Sequence, residues 1–256
     1  MPPARPDPNR MTFLEHLEEL RRRLVFMAVA IAIGFGIGWL LRAPVLDFLL
    51  EPVVACLPPG TKPVYTTLAE PFLLSMKVAF FTGLVLSFPV LLWQIWRFVA
   101  PGLYAHERRW ALPFLVFGSL FFLLGCAFGY WIVFPASARF LIGFAGDRLT
   151  PMLSVGRLFG FETRLILALG LVFEMPVLIA ILARIGLVTA TWLLRHFKHA
   201  VVVISILAAV LTPTPDAPTM LMVALPMTLL YVLGIGVAAL VGRPRLDPAA
   251  DGDGTS

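Results

Sequence analysis

Four acidic residues stand where a carboxylate calls for an explanation. Glu19 and Glu107 sit beside arginines, Asp216 lies in a proline-rich turn, and Glu174 falls within an apolar run. Glu174, in FEMPV, is placed near the middle of a membrane span, where an acidic group costs about 2.5 to 3.5 kcal/mol on insertion scales. Pro176, two residues on, frees a carbonyl one turn earlier and is expected to kink the helix there. A carboxyl at such a kink must face a polar groove, or be protonated and bonded to a neighbouring helix. Lys77 lies nearer a helix end, where its stem can snorkel to the interface. Asp216 has the position of a helix N-cap.

Glu19 belongs to MTFLEHLEELRRRL, residues 11 to 24. Phe13, Leu17, Leu20 and Leu24 recur at helical spacing, leaving the charged residues to the other faces. Glu19 can pair with Arg22 or Arg23 at i+3 or i+4. Glu107, between His106 and Arg108, reads equally well as a solvated loop charge. Both nevertheless fall on the face marked cytoplasmic by its arginines, and two carboxylates there suit a partner carrying two guanidiniums, which pair bidentately.

These residues need a membrane scaffold to position them. Of 256 residues 59% are apolar and 14% charged, and the mean hydropathy is +0.91, so the expectation is an all-α integral membrane protein. Spans are expected at about 24–41, 71–92, 111–134, 163–185, 199–211 and 219–240, in one membrane domain over 11–240. Disordered tails are expected at 1–10 and 241–256. The run after Arg23 resembles a signal peptide in its basic flank but is 18 residues long without a small-residue cleavage site, so it is read as a retained span. Pro52 falls in the first outer loop, and Pro135 is expected to open the second. The fifth run has only 13 residues and the sixth is interrupted by Pro226, which predicts a short final hairpin around LTPTPD. Thirteen of the 20 lysines and arginines fall on the side of both termini, so both are expected in the cytoplasm. The net charge of +5 flanks apolar runs instead of forming a stripe, which argues for topology and against nucleic acid. Cys56 and Cys126 have neither metal-ligand spacing nor matching depths.

FLEHLEELRRRL before the first span, FVAPGLYAHERR after the second, FEMPV in the fourth, LTPTPD before the sixth and ALPM within it together resemble the TatC family. TatC proteins are receptor subunits of the twin-arginine protein translocase. The resemblance runs from about Thr12 to Leu240. It implies a six-helix, glove-shaped protein without a cofactor or bound metal, lying in the cytoplasmic membrane with both termini inside. Such a protein binds twin-arginine signal peptides and works with TatA and TatB, as part of an oligomeric receptor, to pass folded proteins using the proton gradient. It also implies roles for single residues. Glu19, Arg21, Phe98, Pro101, Glu107 and Arg109 would bind the signal. Glu174 with Pro176 would form the intramembrane polar site, and Pro52, Thr212, Pro213 and Asp216 the outer contacts. Met220 and Val232 stand where the family commonly has polar and acidic groups.

Two other classes fit less well. A proton-coupled secondary transporter using Glu174 should show a clear inverted repeat, and only FPVL at 88–91 and MPVL at 175–178 echo each other. An intramembrane enzyme needs a nucleophile and base or a zinc motif in the spans, and none of the four histidines lies at mid-span.

Overall fold

The computed structural model describes residues 13–57, 63–99, 111–144, 153–212 and 216–242. Among them the regular elements are helices, with one isolated parallel bridge between Val64 and Ser154. In chain order they are α1 (Phe13–Leu40), α2 (Arg42–Ala55), α3 (Glu70–Val99), α4 (Ala111–Phe128), a π turn (Gly129–Val133), α5 (Phe134–Phe144), α6 (Val155–Phe173), α7 (Met175–Arg184), α8 (Ala190–Arg195), α9 (Phe197–Leu211) and α10 (Ala217–Val241). All helices suits an apolar solvent, because a helix satisfies its own backbone N–H and C=O groups where no water can. Among the described residues five stretches are long and apolar enough to cross a membrane, and α9 is a shorter apolar helix. The chain divides into two compact units.

The first unit holds α1, most of α2, α3, the first half of α4 and the first turn of α6. Its axis is the antiparallel pair α1 and α3. A Cβ on Gly34 would stand 2.6 Å from the Gly83 carbonyl oxygen, and one on Gly83 only 2.5 Å from the Phe35 nitrogen. Ser87 Oγ donates to the Ala30 carbonyl at 2.8 Å, and Arg23 Nη1 donates to Gln94 Oε1 at 3.3 Å. From 34 opposite 83, through 30 opposite 87, to 23 opposite 94, one residue back along α1 matches one forward along α3. The helices touch where side chains are smallest, the usual way apolar helices associate in lipid. At the other end of α1, the Arg42 guanidinium lies 4.7 Å from the centre of the Trp39 ring, which Phe72 meets edge-on at 6.4 Å. That aromatic and basic cluster is typical of a membrane–water interface.

The second unit holds the end of α2, the rest of α4 with the π turn and α5, most of α6, and α7 to α10. Here α4 and α6 also run antiparallel. A Cβ on Gly125 would stand 2.6 Å from the Leu169 carbonyl oxygen, and one on Gly129 3.1 Å from Ile166 Cα, while Phe134 and Phe161 face each other at 5.6 Å. Helix α10 packs against α5, α7, α8 and α9. Tyr231 on its buried face donates its hydroxyl proton to the Leu193 carbonyl at 3.0 Å. Just past the end of α7, Gly186 has a φ of +77°, which lets the Leu187 N–H fold back to the Leu182 carbonyl at 2.9 Å.

Several boundaries differ from those expected, two of them at prolines expected in loops, Pro52 and Pro135. Helix α2 contains Pro52, so this residue lies in a helix of 14 residues and not in a loop. The third apolar run continues past Pro135 to Phe144, with the π turn before the proline absorbing the register change. Helix α3 passes Pro89 and extends to Val99, which puts Trp96 and Phe98 on its last turns instead of in a loop. Helix α6 begins at Val155, eight residues before the expected start at Thr163. Helix α10 runs through Pro226 for 25 residues, about 37 Å, so the sixth run is not short. Only α9, at 15 residues and about 22 Å, has the brevity expected of the last pair.

Candidate functional site

Two polar places stand out, one in each unit. In the first unit, Glu19 and Arg23 lie one helical turn apart on α1, and Arg23 Nη2 donates to Glu19 Oε1. Arg23 is only 8% exposed, which is unusual for an arginine, and Gln94 of α3 holds its other terminal nitrogen. Glu19 Oε2 and Arg23 Nε are both buried and find no hydrogen-bond partner among the described residues. Arg21 and Arg22 point to the exposed side of the helix. The α1–α3 register puts Phe98 level with Glu19, so two residues separated by 79 positions reach the same height of the pair. Pro101, Glu107 and Arg109 lie outside the described residues.

In the second unit the chain breaks between α6 and α7, and Glu174 occupies the break. Its N–H bonds to the Leu171 carbonyl at 3.1 Å, a tightened i−3 turn, and its own carbonyl accepts from Leu178 at 2.9 Å. Pro176 is the second residue of α7 and has no N–H to offer Val172, so the interruption expected from the sequence is present. The Glu174 side chain is 3% exposed, and neither carboxyl oxygen has a hydrogen-bond partner among the described residues. Thr212 ends α9 with its hydroxyl donating to the Ala208 carbonyl at 3.0 Å. Asp216 is the N-cap of α10, accepting from the Thr219 N–H at 2.8 Å. Pro213 lies outside the described residues, and Pro52 is half-buried in α2.

Sequence reasoning missed two carboxylates. Glu162, one residue ahead of the span expected from 163, is fully buried in α6, again with both oxygens unpartnered among the described residues. Phe159, Glu162, Ile166 and Leu169 follow helical spacing and are all 3% exposed or less, so extending the period four residues back would have found it. Glu70, at the start of α3, accepts at Oε2 from the Thr66 N–H at 2.6 Å and the Thr66 hydroxyl at 3.0 Å. Its Oε1 accepts from the Gly156 N–H at 2.8 Å and from the Ser154 hydroxyl. The Thr67-to-Glu70 spacing before an apolar run was the available sign, since Ser or Thr three residues ahead of Glu marks a helix start. Cys56 and Cys126 are free thiols, and Cys56 Sγ reaches the Pro135 carbonyl at 3.8 Å. Among the described residues no three His, Cys, Asp or Glu side chains gather as a metal site.

Comparison with known proteins decides the family. A profile for the Sec-independent protein translocase protein TatC matches residues 15–226. This chain belongs to the TatC family. The TatC of Koribacter versatilis is 44% identical over 234 residues, covering 90% of this chain and 86% of its own, and that of Deinococcus radiodurans is 41% identical over 236 residues, covering 91% and 87%. A crystal structure of the twin-arginine translocase receptor TatC superposes with a TM-score of 0.79 at 35% identity, covering 90% of this chain and all of that one. TatC membership, together with the five long apolar helices, makes the chain a multi-pass membrane protein of protein transport.

Proposed function

We propose that this TatC-family chain is the receptor subunit of a twin-arginine translocase, without enzymatic activity of its own. In this reading the chain crosses the cytoplasmic membrane six times, with α9 as the short fifth crossing and both termini in the cytoplasm. The cationic residues on the side of both termini support that orientation. Guanidiniums of a signal peptide dock on Glu19 and Glu107, Arg21 and Arg109 flank them, and Phe98 with Pro101 packs the apolar part of the peptide. The observation that carries the reading is Glu19: a partly buried carboxylate on α1, level with Phe98, with one oxygen lacking a hydrogen-bond partner among the described residues. Each exposed charge-assisted contact contributes on the order of 1 kcal/mol, so two of them give selectivity more than strength.

Glu174 receives a polar group from a partner helix or an inserted signal hairpin. Its support is a carboxyl at a helix break with no hydrogen-bond partner among the described residues, a costly arrangement in an apolar medium unless something uses it. TatA and TatB, further copies of this chain and membrane lipid are the partners, Pro52, Thr212, Pro213 and Asp216 contribute the outer contacts, and the proton gradient drives the passage of folded cargo. The test is export of a reporter carrying a twin-arginine leader. Glu19→Ala and Glu107→Ala should each abolish export while the protein stays in the membrane. Normal export by both variants would remove the docking site.

A further inference from the structure

Glu19 already holds a guanidinium. Arg23 donates to Oε1 from the next turn of the same helix, and Gln94 steadies it from α3. The contact uses one oxygen and one terminal nitrogen, and Glu19 Oε2 and Arg23 Nε are buried without a partner among the described residues. A guanidinium and a carboxylate in a fork satisfy two donors and two acceptors at once. The internal pair is therefore complete in charge but incomplete in hydrogen bonds. An arginine arriving from outside offers Glu19 the same chemistry with freedom to choose the two-bond geometry. It cannot do so while Arg23 sits on the carboxylate, and two guanidiniums at one carboxylate repel each other.

We propose that Arg23 is a built-in competitor for the signal's arginine: it occupies Glu19 in the free receptor and is displaced when a twin-arginine signal docks. The inference rests on Glu19 being a docking carboxylate, as proposed above. It gives a reason for arginine selectivity that a lone surface carboxylate lacks. An incoming guanidinium can replace the single contact Glu19 loses with a two-bond fork, whereas a lysine that evicts Arg23 returns only one point contact for the one lost. It also makes the resting affinity weak, since part of the incoming contact is spent on the exchange.

The experiment uses the full chain in lipid nanodiscs, with fluorescent signal peptides carrying Arg-Arg or Lys-Lys and equilibrium dissociation constants measured at low and high salt. Arg23→Gln, which keeps a polar group facing Gln94 but removes the competitor, should tighten Arg-Arg binding by roughly threefold to tenfold. The gain should shrink as salt rises, because it is electrostatic. Arg23→Lys, a weaker competitor, should lie between, and it carries the test if Arg23→Gln fails to fold. Glu19→Ala should lose binding, and adding Arg23→Gln to it should restore nothing. If Arg23→Gln and Arg23→Lys bind Arg-Arg no better than the parent protein while Glu19→Ala still loses binding, the competitor role is wrong and the docking role stands. If Glu19→Ala binds normally, the docking reading falls and this inference with it.

Discussion

Gly34 of α1 lies opposite Gly83 of α3, so close that a Cβ on the first would stand 2.6 Å from the carbonyl oxygen of the second. With these glycines opposed, Arg23 meets Gln94 about three helical turns away, and Glu19 comes level with Phe98.

The contact itself can be tested by adding one methyl group. Gly83→Ala should destabilise the protein by about 1–3 kcal/mol, because the new Cβ would sit 2.5 Å from backbone and cannot be relieved by a rotamer change. Gly36→Ala, on the same helix with open space around its Cα, should cost nothing and gain slightly from helix propensity. Thermal unfolding in nanodiscs separates the two, and equal midpoints for both variants would show that the close approach is not holding the pair.

At the far end of α3, Glu70 ties the Thr66–Thr67 turn to the first turn of α6. Removing the carboxylate in Glu70→Ala leaves the Thr66 and Gly156 N–H groups without their acceptor, so the thermal midpoint should fall. Glu70→Gln, which keeps one acceptor oxygen, should fall less. Gly156→Ala should behave like Glu70→Ala, because its Cβ would lie 2.8 Å from Glu70 Oε1 and push the carboxylate off its donors.

Glu162 makes the opposite case. It is fully buried with both oxygens unpartnered among the described residues, so Glu162→Met, similar in size and apolar, should raise stability by about 1–3 kcal/mol. An unchanged or lower unfolding midpoint would mean that the carboxyl is satisfied in the membrane by a group such as water or a partner chain.

Glu174 is expected to tolerate neutralisation and not inversion. Glu174→Gln keeps the size and hydrogen-bonding ability of the group in its 3% exposed site and should export a reporter at reduced rate. Glu174→Lys, which places a cation where a charge costs about 2.5 to 3.5 kcal/mol even at a helix centre, should export nothing. Equal export by the two variants would make Glu174 a structural acid with no role in docking.

The sequence by itself determined the helical membrane class, the kink at Glu174–Pro176, the Asp216 cap, the brevity of α9 and the family. Apart from the family, which rests on motifs spread along the chain, each of these is local: apolar length, a proline without an N–H, a carboxylate three residues ahead of an amide. Tertiary structure decided what local rules cannot. Pro52 and Pro135, both expected in loops, lie within helices α2 and α5. It also decided which partner Glu19 has. Spacing allowed Arg22 or Arg23, and only the packing of α1 on α3, which buries position 23 beside Gln94 and leaves position 22 exposed, selects Arg23.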